Sequence, residues 1–295
     1  MKKYFKLLRV EQWVKNLFVF VPLFFSGSIK NIDLLSKSIF AFIIFSLAAS
    51  VVYILNDYND IEEDRKHPEK RRRPLASGVI SKSKAVGVLI SIIIIDIALV
   101  FIAHMCFNQN LWKFATIIAT YFVMNLAYTF KLKHVPIIDI CIIAIGFVLR
   151  VLAGGYITGI NISQWAILLT FVLALVLAIG KRRGELINAQ VSGKTRKALD
   201  GYNVQFADIA LSISVTLAIV CYLMFTLSPE VQARFHERVF YTVIFVVFAF
   251  LRYLQQTLVY NRTESPTKIV YRDRYIQITL LLWVAAFLIQ IYFKK

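Results

Sequence analysis

Apolar runs of about 20 residues, nearly free of charge, alternate along this chain with short polar connections. A helix needs roughly that length to cross about 30 Å of hydrocarbon. Nine such spans are expected, over 15–32, 37–56, 84–104, 111–130, 136–157, 163–181, 205–227, 237–258 and 275–293. A membrane β-barrel would show shorter segments of alternating polarity instead. The pattern therefore predicts an all-α, polytopic membrane protein, a bundle of nine transmembrane helices. Its longest connections, near 57–83, 182–204 and 259–274, leave little room for a soluble domain, so residues 1–295 read as one integral membrane domain. The basic start, "MKKYFKLLR", has a late apolar core and no A-x-A site, which argues against a signal peptide. The overlapping stretch "YFKLLRVEQW" reads as an interfacial amphipathic segment with Trp13 at the headgroups.

Composition agrees: 59% of the 295 residues are hydrophobic, against about 45–50% in soluble domains. Charge adds orientation. The chain carries 34 Lys and Arg against 17 Asp and Glu, a net charge of +17. Most of the bases cluster in the N-terminal arm and near 57–84, 131–133, 181–200 and 252–274, which nine spans place on one side. The positive-inside rule makes that side cytoplasmic. The N-terminus is then cytoplasmic, the Lys294–Lys295 tail lies outside, and the membrane is the inner, cytoplasmic one. The basic excess is thus topogenic and suits anionic lipid headgroups, so no nucleic-acid partner is expected. Cys106, Cys141 and Cys221 lack metal spacing and read as packing residues, and His67, His104, His134 and His236 are too scattered for zinc.

Even-numbered spans lead, on the cytoplasmic side, to polar clusters: "NDYNDIEED" (56–64), "AYTFKLKH" (127–134) running on to Asp139, "GKRRGEL" (180–186) and, after a loop, "YRDRY" (271–275). Topology alone would supply bases, but not the interleaved acids, Asn and Tyr. One composite active site at the cytoplasmic face is expected. For Arg272, Asp273 and Arg274 a loop salt-bridge set is the simpler reading.

The richest stretch is "ILNDYNDIEEDRKHPEKRRRPLASG" (54–78). With the helix of the second span continued through residue 64, Asp60 and Asp64 lie within about 60° of Asp57 around the axis. Glu62 and Glu63 point elsewhere. Three carboxylates on one stripe repel one another, and a divalent cation relieves that repulsion. Oxygen ligands without Cys or His suit Mg²⁺, with Mn²⁺ as an alternative. Arg65, Lys66, Lys70, Arg71, Arg72 and Arg73 follow as an anion clamp, with Arg73 fixed by a tight "RPLASG" turn between Pro74 and Gly78. Two charges remain inside the membrane. Asp96 and Arg150 lie at matching depths, roughly 18 and 21 Å along their helices, and are expected to pair or share a polar cavity.

The N-D-x-x-D-x-x-x-D signature with "RRRPLASG" behind it resembles the UbiA-type superfamily of intramembrane prenyltransferases, which nine helices also fit. More narrowly, "EQWVKNLFVFVPL" (11–23), "NDYNDIEEDRKHPEKRRRPLASG" (56–78), "YTFKLKHVPIIDICIIAIGFVLRVLAGG" (128–155), "GKRRGEL" and "YRDRY" resemble the decaprenyl-phosphate phosphoribosyltransferase branch. The usual second D-x-x-x-D motif is missing. Asp139 stands there with Val135 and Ile143 four residues to either side, and Lys131 and Lys133 lie upstream. The resemblance implies Mg-dependent transfer of 5-phosphoribosyl from phosphoribosyl diphosphate to a polyprenyl phosphate, releasing diphosphate. It implies that Asp57, Asp60 and Asp64 hold the metal and diphosphate, supported by Asn56. Lys15, Arg73, Lys133, Lys181 and Arg182 would contact phosphates, and Tyr128 and Asp139 would lie near the sugar. Glu185, i+4 from Lys181 and i+3 from Arg182, would orient both. The competing readings are prenyl transfer from a prenyl diphosphate to an aromatic or other small acceptor, and a channel or transporter. The latter is disfavoured because polar residues gather at one end rather than along a path. Oligomeric state is left open.

Overall fold

The computed structural model describes residues 2–107, 111–192, 199–235, 237–262, 269 and 272–292. Every regular element among them is helical. Six helices are long and apolar enough to cross a membrane: Ile32–Asn59, Lys82–Phe107, Ile138–Thr158, Gln164–Ala189, Val204–Leu227 and Glu237–Val259. The chain separates into two compact units, Met1–Leu132 with Leu149–Asn161, and Lys133–Val148 with Ile162–Lys295.

In the first unit, α1 (Lys2–Leu7) is followed by a 3-10 helix, Val10–Phe20, and α2 (Val21–Phe25). An unbroken α-helical first span over 15–32 is therefore not what forms. Pro22, in the first turn of α2, has no N–H to continue the ladder, and Gly27 at φ 71 closes the segment. A 3-10 turn holds three residues, so Trp13, Asn16, Val19 and Pro22 fall on one face. Asn16 and Val19 are fully buried there, and Trp13 Nε1 donates to Ser50 Oγ at 3.0 Å.

The central helix of this unit is α3 (Ile32–Asn59). Asn31 starts it by accepting from the Leu34 N–H at 3.2 Å, a regular N-cap. Small residues, Ser46, Ala48, Ala49 and Ser50, lie buried along α3 and let neighbours approach closely. Contrary to the expected continuous helix through residue 64, α3 ends at Asn59 and α4 (Ile61–Lys66) restarts after Asp60, whose φ and ψ are −98° and 14°. Helical spacing nevertheless carries across, because Asp60 N–H reaches Asn56 O and Asp64 N–H reaches Asp60 O. The outer helix α5 (Lys82–Phe107) exposes Ile90, Ile94, Ile95, Ile97 and Phe101, a surface suited to lipid. The helix α6 (Trp112–Phe130) carries Lys113, Asn125 and three Thr, and is not among the six long apolar helices.

Asp96 and Arg150 do not form the expected pair. Arg150 Nε donates to Asn16 Oδ1 at 2.7 Å, its Nη2 to Tyr121 OH at 3.3 Å, and it stacks over Phe45 and Tyr121. Asp96 Oδ1 is buried without a hydrogen-bond partner. Equal depth does not fix direction around a helix axis, and the 3-10 segment brings Asn16 to the guanidinium instead.

The helix α7 (Ile138–Thr158) passes through the boundary between the units. The second unit also contains the paired long helices α8 (Gln164–Ser192) and α9 (Val204–Leu227), α10 (Pro229–Phe235) and α11 (Val243–Leu254). A π-helical turn, Gln255–Val259, extends α11, and α12 (Arg274–Tyr292) is a shorter apolar helix. His236, Tyr271, Lys294 and Lys295 lie outside the described residues.

Candidate active site

The acid signature builds a compact charge cluster in the first unit. Asp57 and Asp64 are both buried, at 2% and 3% exposure, and both accept from Arg73 Nη1, at 3.1 and 2.6 Å. The stretch "RPLASG" does form the turn that holds Arg73. Ser77 N–H and Oγ both donate to Arg73 O, Ile80 N–H donates to Pro74 O, and Gly78 takes φ 76, which a side chain would resist. Asp60 is half-buried, with its Oδ1 accepting from Asn59 Nδ2 at 3.1 Å. Glu62 and Glu63 are exposed, and Glu62 pairs with Arg65 at 2.9 Å. Lys66, Arg71 and Arg72 are exposed as well.

Asp57 has a second partner that the sequence did not announce. Arg9 ion-pairs with Asp57 Oδ1 through Nη2 and donates from Nε to Oδ2 at 3.2 Å. It lies 5.1 Å from the Tyr53 ring centroid. No periodicity links residues 48 positions apart, and Arg9 itself sits in a left-handed conformation, φ 49. Lys15, half-buried, shares the like-charge field of Arg9 and Arg150. Tyr128 is half-buried near the end of α6.

Among the described residues no three His, Cys, Asp or Glu side chains are gathered as a ready metal site. The donors nonetheless fit a hard divalent cation. Asp57 and Asp64 point oxygens at one cationic nitrogen, and Oδ1 of Asn56, the residue before Asp57, is buried without a hydrogen-bond partner. Carboxylate and amide oxygens, with no sulfur or imidazole, are what such an ion takes.

The second unit builds a different cluster. Asp139 is fully buried at the start of α7; its Oδ2 accepts from Arg182 Nε and its Oδ1 from Tyr202 OH, both at 2.7 Å. Glu185 meets both bases at the i+3 and i+4 spacing, Arg182 at 2.5 Å and Lys181 at 3.8 Å. Lys133 is buried at 4% exposure. Tyr202 also accepts from the Ile137 N–H at 2.6 Å, holding a β-branched residue at φ 68. A Cβ on Gly201 would sit 2.3 Å from Pro136 Cγ, so the close approach requires glycine there. Burial, and then the hydrogen bond to the Asp139 carboxylate, push the Tyr202 phenol well above its usual range. Nearby, Arg183 pairs with Asp208 and donates to Thr257 O, in the π turn, at 2.7 Å and to Asn261 Oδ1 at 2.9 Å. Asp273 accepts from Arg252 and Gln256 and caps the Ile276 N–H, so part of "YRDRY" is a structural ion-pair set.

The UbiA prenyltransferase family model matches residues 17–284. The chain belongs to the UbiA prenyltransferase family. Over 98% of its length it is 34% identical to the decaprenyl-phosphate phosphoribosyltransferase of Mycolicibacterium smegmatis, covering 92% of that protein. Its identity to the Corynebacterium glutamicum protein of the same name is 33%, over 97% of this chain and 86% of the relative. The Mycobacterium tuberculosis protein of that name is 34% identical, over 95% of this chain and 91% of its own length. In fold, the chain resembles a UbiA homologue from Archaeoglobus fulgidus solved with DMAPP and Mg²⁺, with TM-score 0.68, 19% identity and coverage of 98% of this chain and 99% of that one.

Proposed function

We propose that this membrane transferase moves 5-phosphoribosyl from phosphoribosyl diphosphate to a polyprenyl phosphate and releases diphosphate. The near-full-length identity to curated phosphoribosyltransferases carries this reading. The arrangement of Asp139 supports it: both its oxygens are engaged, by Arg182 and Tyr202, and it has no aspartate four residues to either side. A second carboxylate pair for a prenyl diphosphate, as in ordinary prenyl transfer, is therefore not expected in this region.

Asp57, Asp60 and Asp64, with Asn56, would hold a divalent ion, Mg²⁺ or Mn²⁺. When bound, that ion would neutralise the charge that grows on the leaving diphosphate. Arg73 and Lys15 stabilise the same charge by hydrogen bonding and Coulomb attraction. Lys133, Lys181 and Arg182 are assigned to substrate phosphates, Glu185 to orienting Lys181 and Arg182, and Tyr128 and Asp139 to the neighbourhood of the sugar. Leaving-group departure from the anomeric carbon gives an oxocarbenium-like transition state, and the lipid phosphate attacks as an anion. It therefore needs positioning more than a strong base.

The acceptor's tail stays in the bilayer while the donor is water-soluble, which suits a site at the cytoplasmic end of the helices. Nine passes, a cytoplasmic N-terminus and an outside C-terminus in the inner membrane accord with the basic loops. The broken first segment is compatible with them. A 3-10 helix rises about 2.0 Å per residue, so Val10–Phe20 and Val21–Phe25 together reach about 30 Å, the thickness of the hydrocarbon. The family match spans most of the chain, which supports reading 1–295 as a single catalytic domain.

Purified protein with Mg²⁺, given labelled phosphoribosyl diphosphate or labelled prenyl diphosphate with candidate acceptors, tests the proposal. Label should enter lipid from the phosphoribosyl donor and require the metal. Label entering lipid from the prenyl donor alone would overturn it.

A further inference from the structure

We infer that Arg9 is a movable counter-cation. It neutralises Asp57 while the metal–diphosphate is absent and transfers its two donors to the diphosphate when that ligand binds. The inference rests on the reading of Asp57 and Asp64 as metal and diphosphate ligands, and adds a residue that reading does not contain.

Three observations carry it. First, Arg9 covers both Asp57 oxygens, while Arg73 holds one of them together with Asp64. Arg73 thus stands where a cation between these carboxylates would have to go, and Arg9 occupies both oxygens of Asp57. Second, the exposures are unequal. The side chains of Arg9 and Arg73 are 16% and 25% exposed, whereas those of Asp57 and Asp64 are 2% and 4% exposed. The carboxylates are fixed in the interior, and the guanidinium groups reach them from the rim. Third, the backbone around Arg9 is tethered. Ser50 Oγ donates to Leu8 O at 2.9 Å, Gln12 N–H donates to Arg9 O at 2.7 Å, and Trp13 donates to Ser50. Motion is thereby confined to the side chain, which can slide over the Tyr53 ring without unfolding its turn.

The electrostatics favour the exchange. Arg9 and Arg73 bring two positive charges to two buried carboxylates, and Lys15 adds like charge beside Arg9. A divalent ion entering alone must displace a bidentate guanidinium from Asp57. Entering with diphosphate, it supplies the anion that the displaced guanidinium then binds, with the fork geometry that suits phosphate oxygens.

Mn²⁺ binding followed by electron paramagnetic resonance, with inorganic diphosphate as the anion, tests this without turnover. Arg9→Gln should bind Mn²⁺ alone about tenfold more tightly than wild type, because the competing cation is gone. The same variant should bind diphosphate with Mn²⁺ about tenfold more weakly. Arg9→Lys retains the charge but not the fork. It should fall between the two in Mn²⁺ affinity, and it gives the readout if the Gln variant does not fold. Mn²⁺ affinity unchanged or weakened in these variants would overturn the exchange. Both probes are common to any diphosphate-releasing reaction, so failure of phosphoribosyl transfer leaves this test intact, and failure here leaves the transfer assay intact.

Discussion

Two clusters in this molecule use the same functional groups, aspartate with arginine, in opposite ways. Around Asp57 and Asp64 the carboxylates are buried and the arginines are partly exposed. Around Asp139 both partners are sealed, with Arg182 at 2% and Asp139 at 0% exposure. A carboxylate whose cation reaches it from the rim can trade that cation for another. A pair closed on both sides cannot separate without leaving a buried charge unpaired, which costs several kcal/mol. The first arrangement suits a ligand site. The second suits a rigid anchor on α8, which fixes Arg182 and Glu185 so that the bases proposed for substrate phosphates keep their positions.

Substitution on each side should separate the two kinds. Asp57→Asn removes the charge that the proposal gives to the metal and keeps the shape. Product formation should fall by about a thousandfold or more, the loss of an interaction worth about 4 kcal/mol in the transition state. The melting temperature in detergent should hold within a few degrees. Retained activity would break the contrast at its functional end. Asp139→Ala should act mainly on stability. Arg182 then loses Asp139 and keeps Glu185, and Tyr202 loses its acceptor, which costs about 3 kcal/mol, read as a large drop in melting temperature and loss of folded yield. A stable but inactive Asp139→Ala protein would move Asp139 into the chemistry and erase the distinction. Tyr202→Phe is the milder form. It removes one donor to Asp139 and one acceptor for Ile137 N–H, and should cost about 1–3 kcal/mol of stability.

The contrast was half legible in the sequence. Helical spacing brings Asp57 and Asp64 together and sends Glu62 and Glu63 outward, because residues seven apart share a face and the break at Asp60 preserves the spacing. It also pairs Glu185 with Lys181 and Arg182 one turn away. Proline and glycine mark the turn that fixes Arg73. What decides the character of each cluster is not local. Arg9 reaches Asp57 across 48 positions and Tyr202 reaches Asp139 across 63, and neither separation leaves a periodic trace. The same limit explains Arg150: its depth was readable, but its direction depended on the 3-10 segment that delivers Asn16. That segment was itself hidden, since an apolar run of suitable length looks alike whether it rises 1.5 or 2.0 Å per residue.

The smallest expected effect sharpens the comparison most. Glu62 and Arg65 form an ion pair at 2.9 Å only a few residues from Asp64, with side chains 74% and 52% exposed. If charge density near the signature were what mattered, breaking this pair should disturb the site as neutralising Asp57 does. If burial decides, water and counterions already screen both groups, and the pair contributes almost nothing. Glu62→Gln should therefore leave the melting temperature within about 1 °C of wild type and the turnover rate unchanged. Raising the salt concentration should not widen any difference between the two proteins. A clear loss of activity in Glu62→Gln, with folding intact, would mean that the anion-binding field extends along the exposed face of α4. The division between a buried, exchangeable pair and a solvated, inert one would then have to be redrawn around charge rather than burial.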